Sequence, residues 1–189
     1  MGDLFDNQAD ISWLNPYATS WNKIIQNNKT PHAILISGIR GIGKRAFAAW
    51  LATEHLDITK KYEGCIYPFT VPSHADLKWI NPHEGKRDIS VDQIRQIIDD
   101  LTMSSYEGIG KVAVIEPVNK MNISSANSLL KILEEPPGNT LIILIADKMK
   151  NIPATIISRC QHIKIYPPTE DESREFINHI HPDANIAKI

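Results

Sequence analysis

Apolar residues fall in two alternating patterns along this chain: short continuous runs, and segments in which they recur every three or four positions. The continuous runs lie at 33–37, 112–115 and 141–145, with further strand-like runs at 76–80 and 162–165. A run of four to eight such residues bounded by turn formers predicts a strand, and a run without polar breaks predicts one covered on both faces. Between them come segments of helical period. Asn15-Pro16 opens a helix with Tyr17, Trp21, Ile24 and Ile25 on one face, closed by Asn27-Asn28. A second helix runs from Lys44 to about His55 and carries Phe47, Trp50 and Leu51. Ser90 and Gln93 form a capping box ahead of Val91, Ile94, Ile97 or Ile98, and Leu101. Asn122 caps a helix with Ala126, Leu129, Leu130 and Leu133 inward, and Pro136-Pro137-Gly138 ends it. A short helical turn is expected over 151–158. Thr169 and Glu172 make a second capping box, opening a helix with Phe176, Ile177 and Ile180 inside.

Alternating strands and helices predict a doubly wound α/β sheet of five strands. Residues 1–14 read as a polar lead-in, apolar only at Leu4, Phe5, Ile11, Trp13 and Leu14, and 15–167 as the domain. Within it 57–75 is an irregular insertion broken by Gly64, Pro68 and Pro72, and Pro167-Pro168 marks a boundary before 168–189.

Composition narrows the class. At 42% hydrophobic and 22% charged residues with a net charge of -2, the chain is an ordinary globular protein, neither a disordered tail nor a basic DNA-coating protein. Any contact with nucleic acid needs a local patch or a partner. Lys60-Lys61, Lys86-Arg87, Lys148 and Lys150 read as solvated loop charges with DNA contact as the alternative. Trp13, Trp21, Trp50 and Trp79 read as packing anchors, because no interleaved basic and aromatic pattern surrounds them. No apolar stretch approaches a membrane span, and the first residues lack the blocks of a signal peptide, so a cytoplasmic protein is expected. Cys65 and Cys160 are too few for a disulfide framework.

The chemistry concentrates at Gly38-Ile-Arg-Gly-Ile-Gly-Lys44, a G-x-x-x-x-G-K pattern between a strand and a helix. Gly38, Gly41 and Gly43 let backbone N–H groups curl toward an anion at a helix N-terminus, and Lys44 would reach phosphate. Arg45 stands where a hydroxyl would hold Mg²⁺, so the loop suits phosphate better than metal. A plain tight turn with Lys44 in solvent is the competing interpretation.

Asp88-Ile-Ser-Val-Asp-Gln-Ile-Arg95, Val112-Ala-Val-Ile-Glu116, Ser125-Ala-Asn-Ser-Leu-Leu-Lys-Ile-Leu-Glu-Glu-Pro-Pro137 and Ile157-Ser-Arg-Cys-Gln161 together resemble the AAA+ domain of bacterial sliding-clamp loaders over roughly residues 15 to 168. The resemblance implies a three-layer P-loop-type domain with a mostly parallel five-stranded sheet. It also implies that 168–189 begins a helical lid, that the chain is either a fragment or a shortened natural protein, and that a fragment lacking the following collar is monomeric and weakly associating. Members form a ring in which ATP at subunit interfaces drives clamp opening on primed DNA. By resemblance Arg159, in Ser158-Arg159-Cys160, is an arginine finger reaching a neighbour's ATP. The implied partners are an ATPase subunit and a clamp-opening subunit, and indirectly the sliding clamp and primed DNA.

Departures from the family pattern matter equally. Glu116-Pro117 replaces the Asp-Glu that would serve Mg²⁺ and the attacking water. Ala146-Asp147 falls where a polar sensor would touch the γ-phosphate. With Arg45, these predict a subunit that does not hydrolyse ATP; no cofactor is required, and ATP remains a candidate ligand. The family's four-cysteine zinc module is not expected, since 57–75 holds only Cys65, and His55 and His74 lack ligand spacing. Glu134-Glu135 sit unfavourably at a helix C-terminus and call for a nearby cation, provisionally a lysine of the domain. Cys160 reads as a buried apolar residue. Two other functions stay open: an autonomous P-loop ATPase, and a replication interaction domain without an active-site role.

Overall fold

The computed structural model describes residues 9–27, 29–58 and 64–182. Leu4, Phe5, Asn28 and Lys60-Lys61, named above, lie outside them. In chain order the elements are β1 (Ala9–Asp10), α1 (Asn15–Gln26), β2 (Ala33–Ser37), α2 (Lys44–His55), β3 (Ile66–Tyr67), β4 (Leu77–Ile80), α3 (Val91–Thr102), β5 (Lys111–Ile115), α4 (Ile123–Glu134), β6 (Thr140–Ala146), α5 (Ala154–Ile157), β7 (Gln161–Lys164) and α6 (Glu170–Ile180).

Five strands form one sheet in the order β4-β5-β6-β2-β7, and every neighbouring pair is parallel. The sheet is therefore more uniform than the mostly parallel one expected. Parallel strands must cross over through helices, which cover both faces and leave the central strands dry. Strand alternation divides the core accordingly. Ile34, Ile36, Val112, Val114, Ile143 and Ile145 pack with Trp21, Phe47 and Leu51 of α1 and α2. Leu35, Ala113, Ile115, Ile142 and Leu144 pack with Ile94, Ile97 and Leu101 of α3 and Leu129 and Leu133 of α4. Each fully buried aliphatic chain contributes about 1.5–3 kcal/mol relative to exposure.

Both capping boxes form, with Ser90 and Thr169 accepting from the third helical N–H and the Gln93 and Glu172 side chains closing back. Asn122 likewise accepts from Ser125 N–H. Several details differ from expectation. Helix α1 begins at Asn15 itself with Leu14 before it, and Ile25 is exposed. In α4 the inward position is Ile132, with Leu130 half-buried, because the stripe rotates by one position toward the helix end. The helical turn before β7 spans Ala154–Ile157 only.

The larger corrections concern the lead-in and the insertion. β1 pairs antiparallel with β3, so part of each segment is ordered sheet. Ile11 and Leu14 are buried in the main core, and Leu14 closes a 3-10 turn, Ser12–Leu14. Helix α6 packs on this unit: the Phe176 ring meets Trp13 edge-on at 5.0 Å and Tyr67 at 5.8 Å. Phe176, Ile177 and Ile180 are half-buried rather than inside. Among the described residues no helix is long and apolar enough to cross a membrane.

Candidate functional site

β2 ends at Ser37, and the chain turns at once into the loop 38–43 at the carboxyl end of the central strands, where open parallel sheets present their crevices. Glycine is demanded by space at Gly38, where a Cβ would lie 2.8 Å from the Ile165 carbonyl oxygen. At Gly43 the demand is conformational. Its φ is +99°, a left-handed value, and it precedes the first residue of α2. Leu14 packs against Gly43, and Trp13 Nε1 donates to the Ile42 carbonyl at 2.9 Å. The supposed lead-in thus braces the loop. The cluster of Ile11, Trp13 and Leu14 directly ahead of Asn15-Pro16 was the signal for it.

Lys44 is 4% exposed, which excludes the solvated alternative. Its Nζ donates to the Gly38 carbonyl at 2.9 Å and the Ile39 carbonyl at 2.8 Å, and it pairs with Asp147 Oδ1 at 2.7 Å. An ammonium has three N–H donors, and all three are engaged within the domain.

Arg45 turns back across the loop. Its Nε donates to Glu116 Oε2 at 2.9 Å, and its guanidinium lies 5.3 Å from the Phe69 ring centre and 5.9 Å from that of Trp79. The residue expected to lack a metal-binding hydroxyl therefore brings its own cation to the one carboxylate at the end of β5. Burial pushes the Glu116 carboxyl above its usual range; Arg45 and the Trp79 indole N–H, at 3.3 Å, oppose the shift. Pro117 follows with no donor to offer. Ala146 is fully buried at the end of β6, and Asp147 beyond it faces Lys44.

Lys44, Arg45, Glu116, Pro117 and Asp147 line a cleft of about 650 Å³ together with Gly41, Gly43, Arg40, Trp13 and Phe176. The volume suits a nucleotide-sized ligand. Two of its three cations are already matched by anions, Lys44 by Asp147 and Arg45 by Glu116, while Arg40 is exposed. Among the described residues no group of His, Cys, Asp and Glu side chains converges as metal ligands would.

Arg159 lies elsewhere. Gln161 of β7 is in register with Ile34 of β2, so Arg159, two residues earlier, sits at the amino end of the sheet. The loop starts four residues beyond Ile34, a separation of roughly 13 Å or more at ~3.3 Å per residue. Arg159 cannot serve its own loop. Its Nε donates to Glu134 Oε1 at 2.8 Å, Nη2 contacts the same oxygen, and Nη1 donates to the Thr155 carbonyl at 2.9 Å. Arg159 is thus the cation that Glu134 calls for, in place of the lysine expected. Ser158 Oγ donates to Thr155 O and is 3.5 Å from Nη1, at the limit of a hydrogen bond. Cys160 is half-buried rather than buried, packed against the α3–α4 side of the core; desolvation pushes its thiol up to about 12, so it is protonated at neutral pH.

A fully parallel five-stranded sheet, helices on both faces and a glycine loop joining its inner strand to a helix define a P-loop-type AAA+ domain. Two solved structures agree in fold: a DNA polymerase III gamma subunit-related protein of Thermotoga maritima, with a TM-score of 0.64 at 23% identity over 90% of this chain and 49% of that one, and Thermotoga maritima RuvB, 0.62 at 13% over 89% and 49%. The chain belongs to the family described as DNA polymerase III, delta subunit, whose model matches residues 14–169. It is 32% identical over 169 residues to the DNA polymerase III subunit delta' of Pseudomonas aeruginosa, covering 86% of this chain and 52% of that protein. Against subunit tau of Bacillus subtilis it is 36% identical over 149 residues, 76% of this chain and 26% of that one. The chain spans about half the length of the delta' relatives of Pseudomonas aeruginosa and Haemophilus influenzae, 52% in each case.

Proposed function

We propose that this chain is the AAA+ domain of a delta-prime-type clamp-loader subunit that acts in DNA replication without hydrolysing ATP itself and supplies Arg159 to the ATP of an adjacent ATPase subunit. The observation carrying this reading is the position of Arg159. It is half-exposed at the end of the sheet opposite its own loop, out of reach of a nucleotide there and open to one carried by a neighbour. The guanidinium has five N–H donors in a fixed fork, and a transferring phosphoryl group accumulates charge on oxygens that such a fork matches.

Support for the absence of hydrolysis comes from the other end. Hydrolysis needs Mg²⁺ between phosphate and carboxylate, and an oriented water. Here Arg45 is paired with Glu116, Pro117 can neither accept nor donate a proton, and Ala146 offers nothing to a γ-phosphate. Lys44 would have to break with Asp147 or a carbonyl to meet phosphate. The partners on this reading are an ATPase subunit and the clamp-opening subunit, with the clamp and primed DNA reached through them.

The test is Arg159→Ala in the assembled loader, with DNA-stimulated ATPase and assembly measured together. Turnover at the site this subunit faces should fall on the order of a thousandfold while assembly persists. Unchanged turnover in a fully assembled complex would exclude the finger role. Magnesium-dependent hydrolysis by the isolated chain, abolished by Lys44→Ala, would instead establish an autonomous ATPase.

A further inference from the structure

The two ends of the Arg159 side chain are treated differently by the fold. Its Nε and Nη2 face one oxygen of Glu134, and Nη1 faces the Thr155 carbonyl. Of five N–H donors three are engaged at short range and a second N–H of Nη1 lies 3.5 Å from Ser158 Oγ, leaving one on Nη2. Glu134 is itself held. It is the last residue of α4, and the His32 Nε2 to Leu133 carbonyl contact at 2.8 Å ties that turn to the start of β2. Thr155 is fixed by α5, whose last turn leads directly into β7.

We infer that Glu134 is a positioning residue for Arg159: by holding Nε and Nη2 it fixes the guanidinium in one orientation before a neighbouring nucleotide arrives. This rests on the reading of Arg159 as a donor in trans. A free arginine carries about 2 kcal/mol of rotamer entropy, equivalent to about thirtyfold in rate if all of it were lost on reaching the transition state. The clamp removes most of that loss in advance. A carboxylate is suited to the task because it accepts two N–H groups of one guanidinium edge, whereas an unclamped arginine beside a helix C-terminus would turn toward its free carbonyls.

The experiment compares Glu134→Ala, Glu134→Gln and Arg159→Ala in the loader assembled with full-length subunits, reading kcat and KM for ATP, assembly and thermal melting. Glu134→Ala should lower kcat at the facing site about tenfold with KM within about twofold and assembly intact. Glu134→Gln, which keeps an oxygen for Nε, should restore most of it. If Arg159→Ala abolishes turnover but Glu134→Ala leaves kcat unchanged, the positioning role falls and the finger stands. A rise in kcat would make Glu134 a brake and overturn the inference. So would a loss that follows assembly or melting rather than kcat, or one that glutamine fails to restore. Unchanged turnover in Arg159→Ala would remove the finger reading first, and the positioning role with it.

Discussion

Replacing Arg45 with alanine removes an ion pair and a ring contact together, and pH separates the two losses. The pair is 2.9 Å long, with the Arg45 side chain 48% exposed and Glu116 16% exposed. Two unit charges about 4 Å apart interact by about 4 kcal/mol at an effective dielectric of 20, and solvent around a half-exposed guanidinium reduces this to about 1 kcal/mol. Lying over Phe69 and Trp79 adds about 0.5–1 kcal/mol. At pH 7 the variant should lose about 1.5–2 kcal/mol, a fall in Tm of about 3–8 °C for a chain of this size. Glu116 is raised in the folded state, with burial as the main cause and Arg45 opposing it. For a raised carboxyl, the stability held by the neutral form is complete below the unfolded pKa and is lost as pH rises through the folded one. Deleting Arg45 raises that folded pKa further, so the loss deepens and reaches to higher pH. At about pH 3.5, below the unfolded value of about 4.3, Glu116 is neutral in both proteins and only the ring-contact loss remains. Urea unfolding of the parent, Arg45→Ala, Glu116→Gln and the double variant gives the coupling directly. It should be about 1 kcal/mol at pH 7 and near zero at about pH 3.5. A coupling under about 0.3 kcal/mol at pH 7, or one equal at both pH values, would refute the assignment of Arg45 as the resident cation of this carboxylate.

Two further substitutions probe the same end of the sheet. Asp147→Asn should cost about 1 kcal/mol, or about 2–4 °C in Tm, because the buried Lys44 ammonium keeps its two carbonyls but loses its charge partner, itself 42% exposed; an unchanged melting curve would show that the pair contributes nothing. Gly43→Ala places a Cβ 3.0 Å from Leu14 Cδ1 at a φ of +99° and should destabilise by about 1–3 kcal/mol by chemical unfolding; a neutral outcome would mean that the loop relaxes without Leu14.

What the amino-acid pattern disclosed was local. β2, β5 and β6 are legible because a strand covered on both faces has no polar break, and α3 and α6 because their capping boxes join residues three apart. β1 and β3 were not legible. Two residues are too few to show alternation, and each is stabilised by a partner over fifty positions away rather than by its own propensity. The site divides along the same line. Gly38, Gly43 and Lys44 are visible as spacing, but the ammonium's engagement with Asp147 depends on β6 lying beside β2. The Arg45–Glu116 pair similarly needs strand order, and the Arg159–Glu134 pair needs the end of α4 beside the end of α5. In each case the residue was found and its counter-charge was not, because counter-charges are chosen by tertiary neighbourhood.

On the proposed reading, that separation of ends lets one scaffold do without hydrolysis and still offer a guanidinium to a neighbour. The sheet between them is a rigid body, packed on both faces by fully buried side chains such as Ile34, Leu35, Ile143 and Leu144. Roughly 13 Å of strand lies between the loop and Arg159. Lys44 with Asp147 and Arg45 with Glu116 each form a pair of opposite charges, whose field at that distance is weaker than that of a single charge. On the same reading the paired loop also suits a subunit used as a fixed wall. A vacant phosphate loop carries unmatched cations and tends to move when anion binds, whereas here the ammonium and the guanidinium already have carboxylate partners. What holds Arg159 in place is then the α4 and α5 ends alone, independent of any nucleotide in this chain's own cleft.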